Sequence, residues 1–417
     1  MKILILTPYL PHRRVGHGGG TAVRGLVTWL AKRHEVLVAA LVRPGEEQLL
    51  GEIEELGARV AAVPFLDNKA LGPARLGLFA GRARAWARSL WSGYPWYVEK
   101  YWSPALSRRV REIAEQFAPD AVQIEYLQLA LLGRDLSRWR NDKPSVDFRL
   151  VLNSHELGSL PRQRQAERAP NPLAAAAARG QARAWKRLQV EATSWFDRTL
   201  CVTPEDHALY DAMGGKNLVT VPLGMDLDRI AADWSPGPAI RFLFVGSFNH
   251  RPNRLAADFL LGDMWPTVAA ALPESRLILA GRGSRQYLGN REGHDHWTAR
   301  GVDALGFVDD LTSLFRECHL FVAPLPEGGG IKIKILESMA RGIPVVTTPV
   351  GAEGIAGARD GAIVIAPCDK DFASAVLAAV ADPAASRERA LKARRLMEER
   401  FSWAAITEQL TAIYAGK

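Results

Sequence analysis

Short apolar runs recur along the chain, and each is followed by a longer segment whose apolar residues return every three or four positions. The first run is Lys2–Leu6, and Val23, Leu26, Val27 and Leu30 follow it at helical spacing. Runs that are apolar on both faces are typical of parallel strands covered by helices on each side. The alternation therefore predicts doubly wound α/β domains.

The strand pattern occurs in two successive sets. The first set continues with Val36–Val42, Arg59–Val63, Ala121–Ile124, Leu150–Leu152, Thr199–Val202 and Leu218–Val221. The second set consists of Phe242–Val245, Leu277–Ala280, Val302–Leu305, Leu320–Ala323, Val345–Thr347 and Ile363–Ile365. A linker that ends in Pro236-Gly237-Pro238 separates the two sets. We predict an N-terminal domain at 1–223, a C-terminal domain at 224–399, and a helix at about 400–417 that packs back on the first domain.

A helical insert in the first domain combines basic and aromatic residues. No acidic residue occurs from Lys69 to Val98, and the stretch contains Arg75, Leu76, Phe79, Arg82, Arg84, Trp86, Arg88, Leu90 and Trp91. Such a helix can lie on a membrane surface. The simpler interpretation is an insert that packs its apolar face on its own domain. A second basic stretch, Arg162–Arg187, is expected to be an ordinary solvated helix.

Composition and charge narrow the classes of function. The 417 residues carry a formal net charge of +8, which favours anionic partners such as nucleotide phosphates or an anionic membrane surface. No recognised nucleic-acid-binding motif is present, so nucleic acid is not an expected partner. The scattered cysteines and histidines show no metal-ligand spacing, so no metal site is expected. Because no apolar stretch reaches the roughly 18–20 residues of a membrane span, we expect a cytoplasmic protein, with the inner membrane face as a further option.

A glycine-rich segment carries the strongest chemical signal. Gly328-Gly329-Gly330 lies between the predicted strand Leu320–Ala323 and a predicted helix. A glycine loop that opens a helix presents free N–H groups and the positive end of the helix dipole, which together suit a diphosphate. Lys332 and Lys334 add positive charge there. Glu337, about two turns into the helix, is expected to accept hydrogen bonds from ribose hydroxyls.

Further motifs surround this segment. In the first domain, Pro8 is followed by Gly18-Gly19-Gly20, and His155 follows the strand Leu150–Leu152. The others are Pro222-Leu223-Gly224-Met225-Asp226, Phe244-Val245-Gly246-Ser247, Pro252-Asn253, Ala280-Gly281-Arg282-Gly283, Gly306-Phe307-Val308-Asp309-Asp310 and Phe401-Ser402-Trp403. Over nearly the full chain, the set resembles the retaining GT-B glycosyltransferases of family 4, which include bacterial exopolysaccharide enzymes.

The resemblance implies a fold and an activity. The fold is GT-B, with two Rossmann-like doubly wound domains facing a central cleft. The activity is transfer of a sugar from a nucleotide diphosphate sugar to a saccharide or lipid-linked acceptor, with retention at the anomeric carbon and without a metal ion or other cofactor. A UDP-sugar is expected ahead of GDP-mannose. The product would belong to a cell-surface polysaccharide or glycoconjugate.

The resemblance also implies residue roles. The acceptor side corresponds to Gly18, Gly19 and Gly20, and the catalytic positions are His155, Glu327 and Lys332. The donor-binding positions are Gly246, Ser247, Arg251, Asn253, Arg282, Val308, Gly328, Gly329, Gly330, Lys334 and Glu337.

Two departures from the family pattern affect these roles. Gly329 stands eight positions before Glu337, where the family usually carries a glutamate. Glu327 is the candidate to fill that space, and otherwise the backbone amides of the glycine run act alone. Ser247 and Asn253 stand near the usual Arg/Lys pair for the diphosphate. The candidate replacements for that pair are Arg251, Arg254, Arg282 and Lys332.

Other interpretations remain open at this point. His155 is also consistent with a structural histidine, and Asp309 and Asp310 are expected to cap a helix rather than to act as a carboxylate pair. A nucleotide-sugar epimerase and a non-catalytic partner in polysaccharide assembly are the alternative functions. A simple NAD enzyme is disfavoured, because Pro8 follows the first strand where an immediate Gly-x-Gly-x-x-Gly turn would be needed.

Overall fold

The chain forms two compact units, Met1–Met225 with Trp403–Lys417, and Asp226–Ser402. The computed structural model describes residues 1–13, 18–65, 74–155, 157–167, 169, 171–328, 331–355 and 357–416. Each unit contains one parallel sheet flanked by helices, which confirms the predicted α/β class with two Rossmann-like domains. Among the described residues, no helix combines the length and the apolar content needed to cross a bilayer.

The first unit contains a seven-stranded sheet. Its strands are β1 (Lys2–Thr7), β2 (Glu35–Val42), β3 (Arg59–Pro64), β4 (Ala121–Glu125), β5 (Arg149–Asn153), β6 (Arg198–Cys201) and β7 (Leu218–Thr220). Its helices up to the linker are α1 (Gly18–Ala31), α2 (Gly51–Glu54), α3 (Ala74–Ser92), α4 (Trp96–Lys100), α5 (Pro104–Phe117), α6 (Ala130–Asp142), α7 (Ser159–Glu167), α8 (Pro172–Thr193) and α9 (Pro204–Ala212). The strand order is β3-β2-β1-β4-β5-β6-β7, and all the pairs are parallel.

The second unit contains a six-stranded parallel sheet. Its strands are β8 (Arg241–Val245), β9 (Arg276–Ala280), β10 (Val302–Gly306), β11 (Leu320–Ala323), β12 (Val345–Thr347) and β13 (Val364–Ile365), in the order β10-β9-β8-β11-β12-β13. Its helices are α10 (Arg251–Phe259), α11 (Trp265–Ala271), α12 (Ser284–Gly289), α13 (His294–Ala299), α14 (Thr312–Glu317), α15 (Ile333–Ala340), α16 (Lys370–Ala381) and α17 (Pro383–Arg400). Every predicted strand is present within a residue or two of its predicted ends.

The strands of the first sheet are largely apolar because both faces are covered. In β1, Ile3 and Ile5 pack in one hydrophobic cluster, whereas Leu4 and Leu6 pack in another. Successive side chains of a strand point to opposite faces, so the central positions of β1 are apolar on both faces. Burying one such side chain contributes about 1.5–3 kcal/mol.

The last helix, α18 (Trp403–Tyr414), belongs to the first unit. Its first residue donates its backbone N–H to the carbonyl of Met225 at 3.0 Å. The Trp403 indole lies directly on two glycines, because a Cβ built on Gly25 or Gly224 would be 2.5 Å and 2.3 Å from ring atoms. These two positions therefore require glycine as long as Trp403 fills the space.

The basic aromatic insert corrects one expectation. In α3 the exposed fractions of Phe79, Trp86, Leu90 and Trp91 are 64%, 60%, 68% and 91%. The buried side of this helix carries Ala85 instead, so the interpretation that the apolar face packs on its own domain is wrong for the described side chains. The second basic stretch lies in α7 and α8, and α8 buries one face while its remaining face is solvated.

Candidate functional site

The predicted donor-binding loops meet at one edge of the second sheet. Strands β8 and β11 are neighbours although they are not consecutive in the chain, so the strand order reverses between them. Ligands of open α/β sheets bind outside the carboxyl ends of the strands at such a switch point. Gly246-Ser247 follows β8, and Pro324–Gly328 follows β11. Gly281-Arg282 and Phe307-Val308 follow β9 and β10 at the same edge.

Glycines allow three of these loops to approach closely. Gly281 has a φ of +129°, and a Cβ there would lie 2.1 Å from the carbonyl oxygen of Gly246. Its N–H donates to the carbonyl of Gly306 at 2.7 Å. Gly246 also lacks room for a side chain, because a Cβ would lie 2.8 Å from the Asn253 side chain and 2.9 Å from Lys334 Nζ. The space above Gly246 is thus occupied by two polar groups.

Asn253 connects the loop after β8 with the helix after β11. Its Nδ2 donates to the backbone oxygen of Ser247 at 2.8 Å, and its Oδ1 accepts from Lys334 Nζ at 2.5 Å. The Lys334 ammonium also lies 4.7 Å from the ring centroid of Phe244. The structure therefore brings Gly246, Ser247, Asn253 and Lys334 together. Burial, assisted by the nearby positive charge of Lys332, lowers the pKa of Lys334 to about 7.

The helix begins later than the sequence predicted. Gly328 lies five residues before Ile333, the first residue of α15, and Lys332 occupies the N-cap position. The expectation that the glycine run itself opens the helix is therefore wrong for Gly328. Gly329 and Gly330 lie outside the described residues. Gly328 keeps a φ of +148°, so a side chain at this position would be strained.

The two predicted charged residues of this loop are both engaged in ion pairs. Glu327 pairs with Arg251 of α10. Lys332 Nζ lies 3.6 Å from the carboxylate of Glu353, and its side chain is 9% exposed. The carboxylate expected to replace the glutamate missing at position 329 is thus neutralised by a guanidinium from the neighbouring element.

The remaining donor positions lie around this cluster. Glu337 accepts a hydrogen bond from Arg341 Nη2, one helical turn further on, at 3.1 Å. The Arg282 guanidinium lies 5.7 Å from the ring centroid of Phe307, whose side chain is exposed, and Val308 follows it. Glu337 is the fifth residue of α15, so it lies little more than one turn into the helix rather than two.

Asp310 lies one residue before Leu311, the N-cap of α14, and its side chain binds the first turn of that helix. Its Oδ1 accepts from the N–H of Thr312 at the start of α14, at 2.9 Å. Hydrogen bonds from Thr312 lower the pKa of this carboxyl group. Within the described residues, no group of three or more His, Cys, Asp or Glu side chains is arranged to hold a metal ion.

His155 lies in a buried polar network of the first unit. Its Nε2 is 2.5 Å from Oε2 of Glu125, the last residue of β4. The same carboxylate accepts from Nδ2 of Asn153 at 3.1 Å and from Nε2 of Gln123 at 2.6 Å. The Tyr126 ring stacks on the imidazole, with centroids 3.8 Å apart and planes at 10°. His155 is therefore held by its partners and is nearly buried.

The network extends to the last helix of the unit. The Tyr414 hydroxyl donates to Oε1 of Gln123 at 2.6 Å, and burial together with the charge of Glu125 raises the pKa of Tyr414 well above its ordinary value. A small cavity beside His155 is lined by Glu125 and Asn153 and by apolar side chains of α1 and α18. This cavity combines a few polar groups with an apolar lining, as ligand-binding pockets do.

Sequence reasoning missed most of this network. Gln123 was part of the run Ala121–Ile124, which was interpreted simply as a buried strand, and Glu125 follows that run directly. Polar residues inside such a run need buried partners, which was the available signal. Gly18-Gly19-Gly20 was expected as a loop on the acceptor side, but Gly18 is the first residue of α1. The three glycines therefore form the first turn of that helix.

Comparisons with known proteins agree with this geometry. Residues 239–382 match the family model described as "Glycosyl transferases group 1". The matched range lies within the second unit. The match covers β8 to α16, and hence all the loops of the switch-point cluster.

Two curated proteins that are similar to this chain are mycobacterial. The chain is 29% identical over 212 residues to the "Phosphatidyl-myo-inositol mannosyltransferase" of Mycobacterium tuberculosis, a match that covers 48% of this chain and 54% of the relative. It is 26% identical over 307 residues to the "GDP-mannose-dependent alpha-(1-6)-phosphatidylinositol dimannoside mannosyltransferase" of the same species, covering 70% and 73%. The first of these matches thus spans about half the length of the relative.

A solved structure shows the same fold. Sucrose-phosphate synthase from Thermosynechococcus elongatus aligns with a TM-score of 0.66 and 17% identity, over 100% of this chain and 98% of that one. The chain has the GT-B fold that this structure shares with other glycosyltransferases.

Proposed function

We propose that this protein transfers a sugar from a nucleotide diphosphate sugar to an acceptor, with retention of the anomeric configuration. The switch-point cluster supports the proposal, because Gly246, Asn253 and Lys334 meet at the carboxyl edge of the second sheet, within the range that matches the group 1 family model. The Lys334 ammonium contacts an amide oxygen and an aromatic ring there, and neither carries a net charge. This favours an anionic ligand.

The donor is proposed to lie along the carboxyl edge of the second sheet. Its diphosphate binds near Lys334, its base near Phe307 and Val308, and its ribose near Glu337. The ribose would then compete with Arg341 for the Glu337 carboxylate. A relative whose match covers 70% of this chain is named GDP-mannose-dependent, so GDP-mannose is the first donor to test. The resemblance alone predicted a UDP-sugar.

The acceptor is proposed to be lipid-linked and to bind on the first unit near His155 and the glycine turn of α1. The mycobacterial relatives are named for phosphatidylinositol acceptors, which fits an enzyme at a membrane surface. The exposed aromatic face of α3 is the element proposed to contact the anionic inner face of the membrane.

The chemical step is proposed to need no metal ion. Positive groups at the donor site would stabilise the departing diphosphate, and the leaving phosphate would accept the proton of the acceptor hydroxyl on the same face of the sugar. The bond from the anomeric carbon to the phosphate oxygen breaks as the bond to the acceptor oxygen forms.

One set of assays tests the proposal. A thermal-shift screen of GDP-mannose, UDP-glucose and UDP-galactose identifies the donor, because a ligand stabilises the fold that binds it. The radiolabelled donor is then incubated with phosphatidylinositol vesicles, with a soluble disaccharide, and without acceptor, each with and without EDTA. We expect label in the lipid fraction, insensitivity to EDTA, and an NMR coupling of the fresh product that matches the donor anomer.

Each alternative has its own result in these assays. Conversion of the donor without any acceptor indicates the epimerase, and failure to bind any nucleotide sugar indicates the non-catalytic partner. An inverted product anomer contradicts retention. Loss of activity in EDTA that Mg²⁺ restores contradicts metal independence.

A further inference from the structure

A buried lysine at the switch point has neutral partners. The Lys334 ammonium is 2.5 Å from Oδ1 of Asn253 and 4.7 Å from the ring centroid of Phe244. Among the residues that the structure describes, no carboxylate lies within ion-pair distance of this group. An amide oxygen and an aromatic face attract a cation, but neither carries a net charge. A protonated Lys334 thus leaves a positive charge to be balanced by a ligand.

The other charged groups around Lys334 are already paired or turned to the backbone. On its own loop, Lys332 pairs with Glu353. On α10, Arg251 pairs with Glu327, and Arg254 donates to backbone oxygens after β8. On β8, the contacting group is the uncharged Phe244 ring. The neighbouring charge that acts on Lys334 is therefore the positive charge of Lys332.

We propose that Lys334 binds the diphosphate of the donor and takes up a proton from solvent as the diphosphate arrives. This inference rests on the proposed function. It adds the side chain that binds the diphosphate and the coupling of donor binding to proton uptake. The neutral amine gains one proton, no covalent bond to the donor forms or breaks, and the resulting ammonium donates to a phosphate oxygen. Asn253 Oδ1 accepts from Lys334 Nζ whether that group is an amine or an ammonium, so the lysine is oriented before and after binding.

The ionisation of the free protein supports this linkage. Burial and the charge of Lys332 lower the pKa of Lys334 to about 7, so the amine is partly neutral near neutral pH. An anion placed beside it favours the charged form and raises that pKa again. Binding at pH 7.5 is therefore accompanied by net proton uptake, up to about 0.75 of a proton per site for a pKa near 7 that rises well above the pH of the solution.

The location also accounts for one departure from the family pattern. Asn253 stands near a position where the resemblance implies a basic residue for the diphosphate. The structure places the ammonium of Lys334 on that asparagine, from a different helix. Lys334 thus provides the positive charge that position 253 lacks, whereas Lys332 is paired with Glu353.

Calorimetry measures the linkage directly. GDP-mannose and UDP-glucose are titrated into the full chain at pH 7.5 without acceptor, in buffers of different ionisation enthalpy, so that the slope of the observed enthalpy gives the number of protons taken up. These probes are suitable because each of their phosphates is esterified and does not titrate near this pH. The nucleotide that binds is also titrated at pH 6, where Lys334 is already charged and the uptake is expected to disappear.

Three variants test whether Lys334 is the source of the proton uptake and of the affinity for the nucleotide sugar. Lys334→Arg stays charged, so we expect affinity within about threefold of wild type and no proton uptake. Lys334→Met is expected to lose about tenfold or more in affinity, together with the uptake. Lys370→Met, an exposed lysine at the start of α16, is the matched control and should behave as wild type. Thermal melts of all variants establish that they fold.

The results distinguish failure of this inference from failure of the proposed function. Binding without proton uptake by wild type, or uptake that survives in Lys334→Arg, overturns this inference and leaves the proposed function intact. If neither nucleotide sugar binds, the proposed function fails and this inference fails with it.

Discussion

The backbone of Tyr126 and His155 is in an uncommon conformation for residues with side chains. Their φ angles are +70° and +57°. A left-handed backbone conformation costs free energy, so it persists only where surrounding contacts hold it. Such conformations are frequent at functional sites. Here it stacks the Tyr126 ring on the imidazole and directs His155 Nε2 to Glu125. The carboxylate is in turn held by two amide groups, from Gln123 and Asn153.

The first residue-scale prediction concerns the tautomer of His155. A carboxylate accepts hydrogen bonds, so the contact with Glu125 places the ring proton on Nε2 and leaves Nδ1 unprotonated. Glu125→Gln places an amide opposite Nε2, and we expect the proton to move to Nδ1 or the contact to break. Nitrogen chemical shifts of ¹⁵N-histidine-labelled protein, assigned with His155→Gln, measure this directly. We also expect kcat to fall about 10–100-fold with little change in the donor KM.

The control for that variant is Glu115→Gln, an exposed carboxylate of the same unit that pairs with Lys143. It should change neither the His155 shifts nor kcat. Unchanged His155 nitrogen shifts in Glu125→Gln would show that Glu125 does not set the tautomer.

The second residue-scale prediction concerns the ribose. Glu337 is a hydrogen-bond acceptor that Arg341 already occupies. If ribose hydroxyls bind the same carboxylate, Glu337→Ala should weaken binding of the nucleotide sugar by about tenfold or more, since a charge-assisted hydrogen bond is lost. Calorimetry with the donor measures this. Glu398→Ala, which removes the carboxylate of an equivalent i,i+4 pair with Arg394 in α17, is the control. Equal affinity of wild type and Glu337→Ala contradicts the ribose role.

At the scale of elements, one carboxylate joins a helix to a strand of the first unit. Asp197, just before β6, accepts from Arg140 of α6 at 2.6 Å and from the N–H of Leu150 in β5 at 2.7 Å. Burial raises the pKa of this carboxyl, but the Arg140 and Leu150 hydrogen bonds outweigh it, and the net effect is a lowered pKa. A lowered pKa in the folded state stabilises the fold at pH values above the unfolded-state value.

The element-scale prediction follows from that sign. Asp197→Asn should reduce the free energy of unfolding by about 1–3 kcal/mol at pH 7. The difference from wild type should shrink as the pH falls from about 4, the unfolded-state value of an aspartate, through the lowered native pKa. Urea unfolding followed by tryptophan fluorescence at several pH values measures it. Glu35→Gln, from the exposed pair with Arg59, is the control, and a difference that is independent of pH contradicts the assignment.

The sequence predicted the secondary-structure elements better than it predicted the contacts between them. The strands were predicted because runs such as Phe242–Val245 are apolar on both faces, a pattern that local sequence alone displays. The first turn of α1 and the start of α15 were not predicted, because glycine runs are equally compatible with loops. The contacts of Lys334 with Asn253 and of His155 with Glu125 join residues far apart in the chain. No local pattern indicates such pairs, so they required the structure.

At the scale of the whole molecule, positive charge and exposed aromatic side chains occur together. The chain has a net charge of +8, and α3 presents Phe79, Trp86 and Leu90 at i, i+7 and i+11, which recur on one face of a helix. Exposed Arg84 lies on the same helix. An exposed apolar stripe on a chain with a positive net charge matches the chemistry of an anionic bilayer surface.

The whole-molecule prediction is tested with vesicles. Wild type should sediment with phosphatidylcholine vesicles that contain phosphatidylinositol, and much less with phosphatidylcholine alone. The variant Phe79→Ser/Trp86→Ser/Leu90→Ser should lose at least about tenfold in partition coefficient. Leu209→Ser/Leu391→Ser removes exposed apolar residues elsewhere and is the control. Equal sedimentation of the α3 variant and wild type contradicts the membrane role of α3.

The position of α18 in the first unit has a consequence for synthesis on the ribosome. The unit is built from two stretches of chain, and the whole of Asp226–Ser402 is translated between them. Until Trp403 emerges, the surface around Gly25 and Gly224 lacks the indole that covers it. The nascent first unit therefore keeps this apolar surface uncovered until α18 is made. The second unit is continuous in the chain, so it can complete its own folding first.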